Sequence, residues 1–188
     1  MEKMVKSLHV TSEIGKLERV LLHRPGKEIE HLIPSNMERL LFDDIPFLPT
    51  MQKEHDAFAA VLQERGTQVI YLEKLVEESL LDENVKGELI EAFLKESKNH
   101  LHKGYRILRE YLDSLDSASL VKKLMEGVLK KDLDHHQKLH LDDLLSAHYP
   151  FYIDPLPNLY FTRDAAAVIG DGLTIHRMST SARKRESL

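Results

Sequence analysis

The chain is 188 residues long, 30% charged, and carries a net charge of −5 from 31 acidic and 26 basic residues. That length buries a substantial core in one or two domains, and the acidic balance argues against nucleic acid as the main partner, because phosphate binding needs a concentrated positive footprint. With no cysteine, these residues contain no disulfide, thiolate metal site or thiol nucleophile.

The N-terminal Met-Glu-Lys-Met-Val-Lys leads into no long apolar stretch, so no secretory signal is expected. No later run approaches the roughly 20 apolar residues of a membrane span, and a soluble cytoplasmic protein is the default expectation. Leu17 to His23 has the aliphatic density of a buried strand, which Arg24-Pro25-Gly26 stops. Ser35-Asn36 can cap a short helix around Met37 to Phe42, with Glu38 placed to favour its dipole. Thr50 to Arg65 reads as an amphipathic helix through Met51, His55, Phe58, Ala59 and Leu62, and Gly66 ends it. Thr67 to Leu72 is a second strand, giving the strand–helix–strand order of an α/β sheet.

From about Leu75 to Ala147 the composition changes: three glycines, no proline, and abundant Leu, Lys, Glu and Asp. Helical spacing recurs at Ile90, Phe93 and Leu94, at Ile107, Leu108 and Tyr111, and at Leu120, Leu124 and Val128, which predicts four or five short helices in a bundle. The strand-like Phe151-Tyr152-Ile153 then leads through Asp154-Pro155-Leu156-Pro157 to Asn158. Ala165 to Ile169 and Leu173 to His176 flank Gly170-Asp171-Gly172, a hairpin signal. The polar, basic tail from Ser179 to Leu188 is expected to be mobile. The predicted organisation is therefore an α/β part over residues 1–74, a helical insertion over 75–148, and a return to α/β over 149–188.

Candidate chemistry centres on Pro157-Asn-Leu-Tyr-Phe-Thr-Arg-Asp164. A carboxylate such as Asp164 matches two parallel N–H donors of a guanidinium; on a strand it would share a face with Thr162 and oppose Arg163. The plain alternatives are a surface aspartate, an Asx-turn at Asn158 and a core ring at Phe161. Arg183 can clamp a substrate carboxylate or belong to a solvated basic tail. The acidic end of Leu40-Leu41-Phe42-Asp43-Asp44 can bind a cation or cap a turn. His135, His136 and His140 lack the His-Glu-x-x-His pattern of a zinc site, and no phosphate loop is present.

In this order, several segments closely resemble the arginine deiminase family. They are Ser12-Glu-Ile-Gly-Lys-Leu17, Val20-Leu-Leu-His-Arg-Pro-Gly26, Leu40 to Phe47, His55-Asp-Ala-Phe58, Asp154 to Asp164 and Arg183-Lys-Arg-Glu186. The resemblance implies a five-fold α/β propeller with a helical bundle inserted after its first unit, of which this chain holds that unit and the start of the second. It implies hydrolysis of L-arginine to L-citrulline and ammonia by a cysteine nucleophile, without cofactor or metal, in an enzyme that is a homo-oligomer at full length. It places Asp164 on the guanidinium, Asn158 and Arg183 near the substrate's α-carboxylate, and Phe161 and Leu41 along its aliphatic stem; Arg185 is given a structural role. His176 matches no catalytic position. Lacking the cysteine and the catalytic histidine segment, the chain is expected to be an N-terminal fragment, inactive alone. The alternatives are a short non-catalytic relative that binds arginine or a full-length subunit, and a helix-bundle interaction module.

Overall fold

The computed structural model describes residues 8–97, 105–133 and 149–188. Strand β1 (Arg19–Leu22) and strand β2 (Gln68–Tyr71) pair in parallel, Arg19 opposite Gln68 and Leu22 opposite Tyr71. Between them lie the single turn α1 (Lys27–Glu30) and the long helix α2 (Leu48–Glu64). Proline in the first turn of α2 fits because its missing N–H would be unpaired there in any helix. The apolar stripe of α2 is only partly used. Leu48 and Ala59 are buried, while Phe58 is exposed.

Residues 34–41 form successive turns in place of the expected short helix at Met37 to Phe42. The reason is Asn36. Its Oδ1 accepts from the backbone N–H of Ile33 behind it (2.8 Å), and its Nδ2 donates to the carbonyl of His31 (3.2 Å), so the side chain closes a turn backward and does not cap a helix forward. Leu72, expected at the end of a strand, begins helix α3 (Leu72–Ser79).

Helices α3, α4 (Glu83–Glu96), α5 (Tyr105–Asp113) and α6 (Ser117–Glu126) follow. Asp82 and Asp116 cap α4 and α6 by accepting from Asn84 N (2.9 Å) and Ser119 N (3.0 Å). The residues with helical spacing supply the main core: Ile90, Phe93, Leu94, Leu108, Leu112, Leu120 and Leu124 are buried together. Ile153, Leu156 and Leu159 join the same cluster, so the segment leading to the candidate site is anchored on the helices.

Strand β3 (Val128–Leu129) pairs antiparallel with β4 (Phe151–Ile153), and after the turn α7 (Thr162–Ala165) the strands β5 (Ala166–Ile169) and β6 (Gly172–Ile175) form the expected hairpin. Val10 bridges to Gly170 at the hairpin's end. The whole is a mixed helix-and-strand fold with small two-stranded sheets. The tail, expected to be loose, is a 3-10 helix over Ser181–Ser187 with Ala182 and Arg185 buried. Its basic residues find internal acceptors, as described below.

Candidate functional site

Asn158, Phe161 and Asp164 follow one another through backbone bonds three residues apart. Phe161 N donates to Asn158 O and Asp164 N to Phe161 O, both at 3.0 Å. Asp164 therefore sits in a helical turn and not on a strand, which removes the expected sharing of a face with Thr162. The cause lies at Thr162, whose Oγ1 donates to Leu21 O of β1 at 3.0 Å and pins the start of the turn against the parallel pair. Neighbouring Arg163 points to Glu13, with two N–H···O contacts of 3.0 and 3.1 Å, and leaves Asp164 to a different partner.

That partner is Arg183. Its Nη1 donates to Asp164 Oδ2 at 2.8 Å, while Nε lies 2.8 and 3.0 Å from the two Glu186 oxygens and Nη2 2.7 Å from Glu186 Oε2. Burial opposes the charge on Arg183, but bonds from Glu186 and Asp164 outweigh it and raise its pKa. Burial also raises that of Glu186, against the pull of Arg183. Arg183 is thus largely enclosed and doubly paired, not part of a solvated tail. Glu186 escaped sequence reasoning, although its spacing of three from Arg183 is the local signal for such a pair.

Asn158 is buried, and its Nδ2 donates to Leu40 O at 2.9 Å. The next residue, Leu41, has φ +66°, strained for a side chain with a Cβ, and is 51% exposed. Asn158 thus fixes the peptide that feeds this strained residue. Phe161, a candidate core ring, is 46% exposed and packs against Tyr160 with centroids 4.0 Å apart. The structure directly joins Asp164 with Arg183, and joins Asn158 with the residue before Leu41.

Asp154 is the centre of a separate polar cluster. Arg39 donates to both of its oxygens and to the Tyr149 hydroxyl (Nη2 at 2.6 Å from the latter), and Tyr149 donates to Asp154 Oδ1. Burial would raise Asp154, but the bonds from Arg39 and Tyr149 hold it below the usual carboxylate range. Burial first, and then the Asp154 bond, push Tyr149 up to about 12. Arg185 Nη1 donates to Asp154 O at 2.9 Å and its guanidinium lies 5.0 Å from the Phe93 ring centre; burial lowers its pKa to about 10. Gly127, with φ +83°, lets β4 pass close by: a Cβ there would lie 2.6 Å from Ile153 O and 2.7 Å from Pro155 N. No local pattern linked Arg39 to Asp154, which lie 115 residues apart.

A second buried cluster has His23 Nε2 3.1 Å from Glu28 Oε1 and Nδ1 3.2 Å from Glu73 Oε2. It borders a cavity of about 270 Å³ that takes no residue from the predicted set, and its carboxylates are already paired. Among the described residues no three His, Asp or Glu side chains are grouped to hold a metal ion; His135, His136 and His140 lie outside the described residues. No helix among them is long and apolar enough to cross a membrane. Chemically, Asp164 is a carboxylate already carrying a guanidinium donor, at the end of a turn sequence fixed by Asn158 and Thr162.

A sequence model described as arginine deiminase matches residues 38–188. Arginine deiminase of Bacillus cereus strain B4264 is 52% identical over 185 residues, 98% of this chain and 45% of the relative. That of Bacillus cytotoxicus is also 52% identical over 185 residues, and that of Listeria monocytogenes serotype 4b strain CLIP80459 is 49% identical over 186. The chain thus spans about 45% of the length of the curated relatives it matches. It belongs to the arginine deiminase family.

Proposed function

We propose that the chain supplies the substrate-holding part of an arginine deiminase, which hydrolyses L-arginine to L-citrulline and ammonia in the cytoplasm. The observation that carries this reading is the partly exposed Asp164 carboxylate, whose Oδ2 accepts one N–H of the Arg183 guanidinium at 2.8 Å, half of the paired contact a substrate guanidinium would make. In the proposed reaction Asp164 orients the guanidinium. A cysteine thiolate attacks its central carbon, ammonia leaves from the tetrahedral adduct, and water hydrolyses the thioester-like intermediate to citrulline. With no cysteine in the 188 residues, the thiolate is supplied by polypeptide outside them. In this reading the substrate guanidinium displaces Arg183 from Asp164, Arg183 and Asn158 then serve the substrate's α-carboxylate, and Leu41 and Phe161, both exposed at the surface, line its aliphatic stem. We further infer that residues 1–74 and 149–188 are the first unit and the start of the second unit of a five-fold α/β propeller, with 75–148 inserted between them.

The test is a chimera in which the unmatched remainder of the Bacillus cereus relative follows Leu188. It should release citrulline from arginine, whereas the 188-residue chain alone should not. Asp164→Asn should lower kcat/KM of the chimera at least about 100-fold, equivalent to about 3 kcal/mol of lost transition-state binding. A chimera whose rate is indifferent to Asp164→Asn would remove the assignment.

A further inference from the structure

Among the described residues, one guanidinium serves two carboxylates. Arg183 gives Nε and Nη2 to Glu186, at 2.7 to 3.0 Å, and only Nη1 to Asp164, at 2.8 Å. The division follows from where the residues stand. Arg183 and Glu186 lie three apart in the 3-10 helix Ser181–Ser187, in which side chains at that spacing eclipse. Glu186 therefore takes the whole Nε edge of the planar fork, the bidentate arrangement that a carboxylate matches best. Asp164 is left half-engaged with its side chain 47% exposed, whereas those of Arg183 and Glu186 are 12% and 2% exposed. The helix has other anchors besides this pair: Arg185 Nη1 donates to Asp154 O, and Ala182 packs with Leu32 and Leu40.

When a substrate guanidinium displaces Arg183 from Asp164, an enclosed cation loses a partner. That loss is strongly unfavourable unless a second partner remains. Glu186 is that second partner. Two cations then face two carboxylates, so each charge is compensated, and Nη1 of Arg183 is freed for the substrate's α-carboxylate while its Nε edge stays where it was. We propose that Glu186 is a positioning residue for arginine: it keeps Arg183 paired and aimed while the substrate takes over Asp164. It touches no substrate atom and acts through Arg183. The proposal rests on the deiminase reading and adds to it the group that permits the exchange at Asp164.

The test is Glu186→Gln, which keeps the shape and removes the charge, made in the 188-residue chain and in the chimera. In the chimera KM for arginine should rise at least about tenfold while kcat stays within about threefold, the mark of lost binding and not of lost chemistry. Glu186→Asp, which restores the charge, should recover part of the loss. In an Arg183→Gln background Glu186→Gln should raise KM no further, because its effect passes through Arg183. In the 188-residue chain the Arg183 Nε–H signal in a nitrogen-15 NMR spectrum, identified by its loss in Arg183→Lys, should exchange with water at least about tenfold faster in Glu186→Gln. An active chimera whose KM is unchanged by Glu186→Gln, or rises again by the same factor in the Arg183→Gln background, would overturn the proposal and leave the deiminase reading standing. Unchanged Nε–H exchange would also overturn it. A chimera that releases no citrulline before any substitution would remove the deiminase reading and the substrate role of Glu186 together. If Glu186→Gln does not fold, Glu186→Asp decides: a KM raised at least about threefold with kcat retained supports the role, and unchanged kinetics overturn it.

Discussion

Raising the pH through the range of a single buried histidine should unload this fold by about 3 kcal/mol. Both ring nitrogens of His23 face carboxylate oxygens, Glu28 at 3.1 Å and Glu73 at 3.2 Å. A ring can donate from both nitrogens only as the imidazolium. Burial works against that charge, but the bonds to Glu28 and Glu73 outweigh it and raise the pKa from 6.5 to about 9. Each tenfold gain in proton affinity is worth about 1.4 kcal/mol, so the change corresponds to about 3 kcal/mol. Between those two values the folded chain keeps a proton that the unfolded chain has released. The contribution is complete below pH 6.5, declines as the pH rises, and is gone above about 9. Urea unfolding followed by circular dichroism, from about pH 6 to pH 10, would measure it. The comparison is the double variant His23→Gln with Glu28→Gln, which removes the titrating proton without leaving a buried charge unpaired. Its stability should change less across this range by about 3 kcal/mol. Parallel curves for the two proteins would refute the reasoning.

Two glycines with nearly the same φ should respond differently to alanine. At Gly127 (φ +83°) the new Cβ meets backbone atoms 2.6 and 2.7 Å away, so backbone strain and steric overlap should together cost about 3 kcal/mol or more. At Gly66 (φ +81°) nothing lies within 4 Å, and only the conformational cost of about 1 kcal/mol remains. Melting temperatures of the two variants decide the matter, and equal losses would contradict it. Arg39→Ala should move acid unfolding to higher pH. Asp154, held below its ordinary value by Arg39 and Tyr149, adds stability above that value and loses it as the pH falls. A pH titration of the folded signal with an unchanged acid midpoint would argue against this.

The elements legible in the sequence are those with a local signature. The parallel pair followed from two aliphatic runs around an amphipathic helix, and the hairpin from Gly170-Asp171-Gly172 between apolar runs. The segments misread are those where a distant partner overrides local preference. Asn36 turns its side chain back onto Ile33 and His31, so a capping signal produced turns. Thr162 bonds to Leu21, so a strand-like Phe-Thr-Arg-Asp became a helical turn. The basic tail looked solvated because nothing nearby shows that Arg185 reaches Asp154 O or that Arg183 reaches Asp164. In the candidate site, the residue type of Asp164 suggested its chemistry and Asn158 was singled out only by the family resemblance, whereas the Arg39–Asp154–Tyr149 cluster has no signature in the order of residues.

The bonds that hold the candidate site together also set when it can form. Asn158 reaches back 118 residues to Leu40, Thr162 141 residues to Leu21, and Arg163 150 residues to Glu13. Helices α3 to α6, by contrast, pack largely on one another, α4 on α5 and α6 on α3. Contacts of such wide separation must close very large loops before they gain anything, and they form late and slowly. A chain emerging from the ribosome at roughly 5–20 residues per second will have exposed its helices and waited several seconds before Asn158 and Thr162 appear. Leu40 and Leu21 spend that interval without the partners that define them. The helices can therefore take shape during synthesis, while the corner around Asp164 closes only once residues 154–188 have arrived and docked.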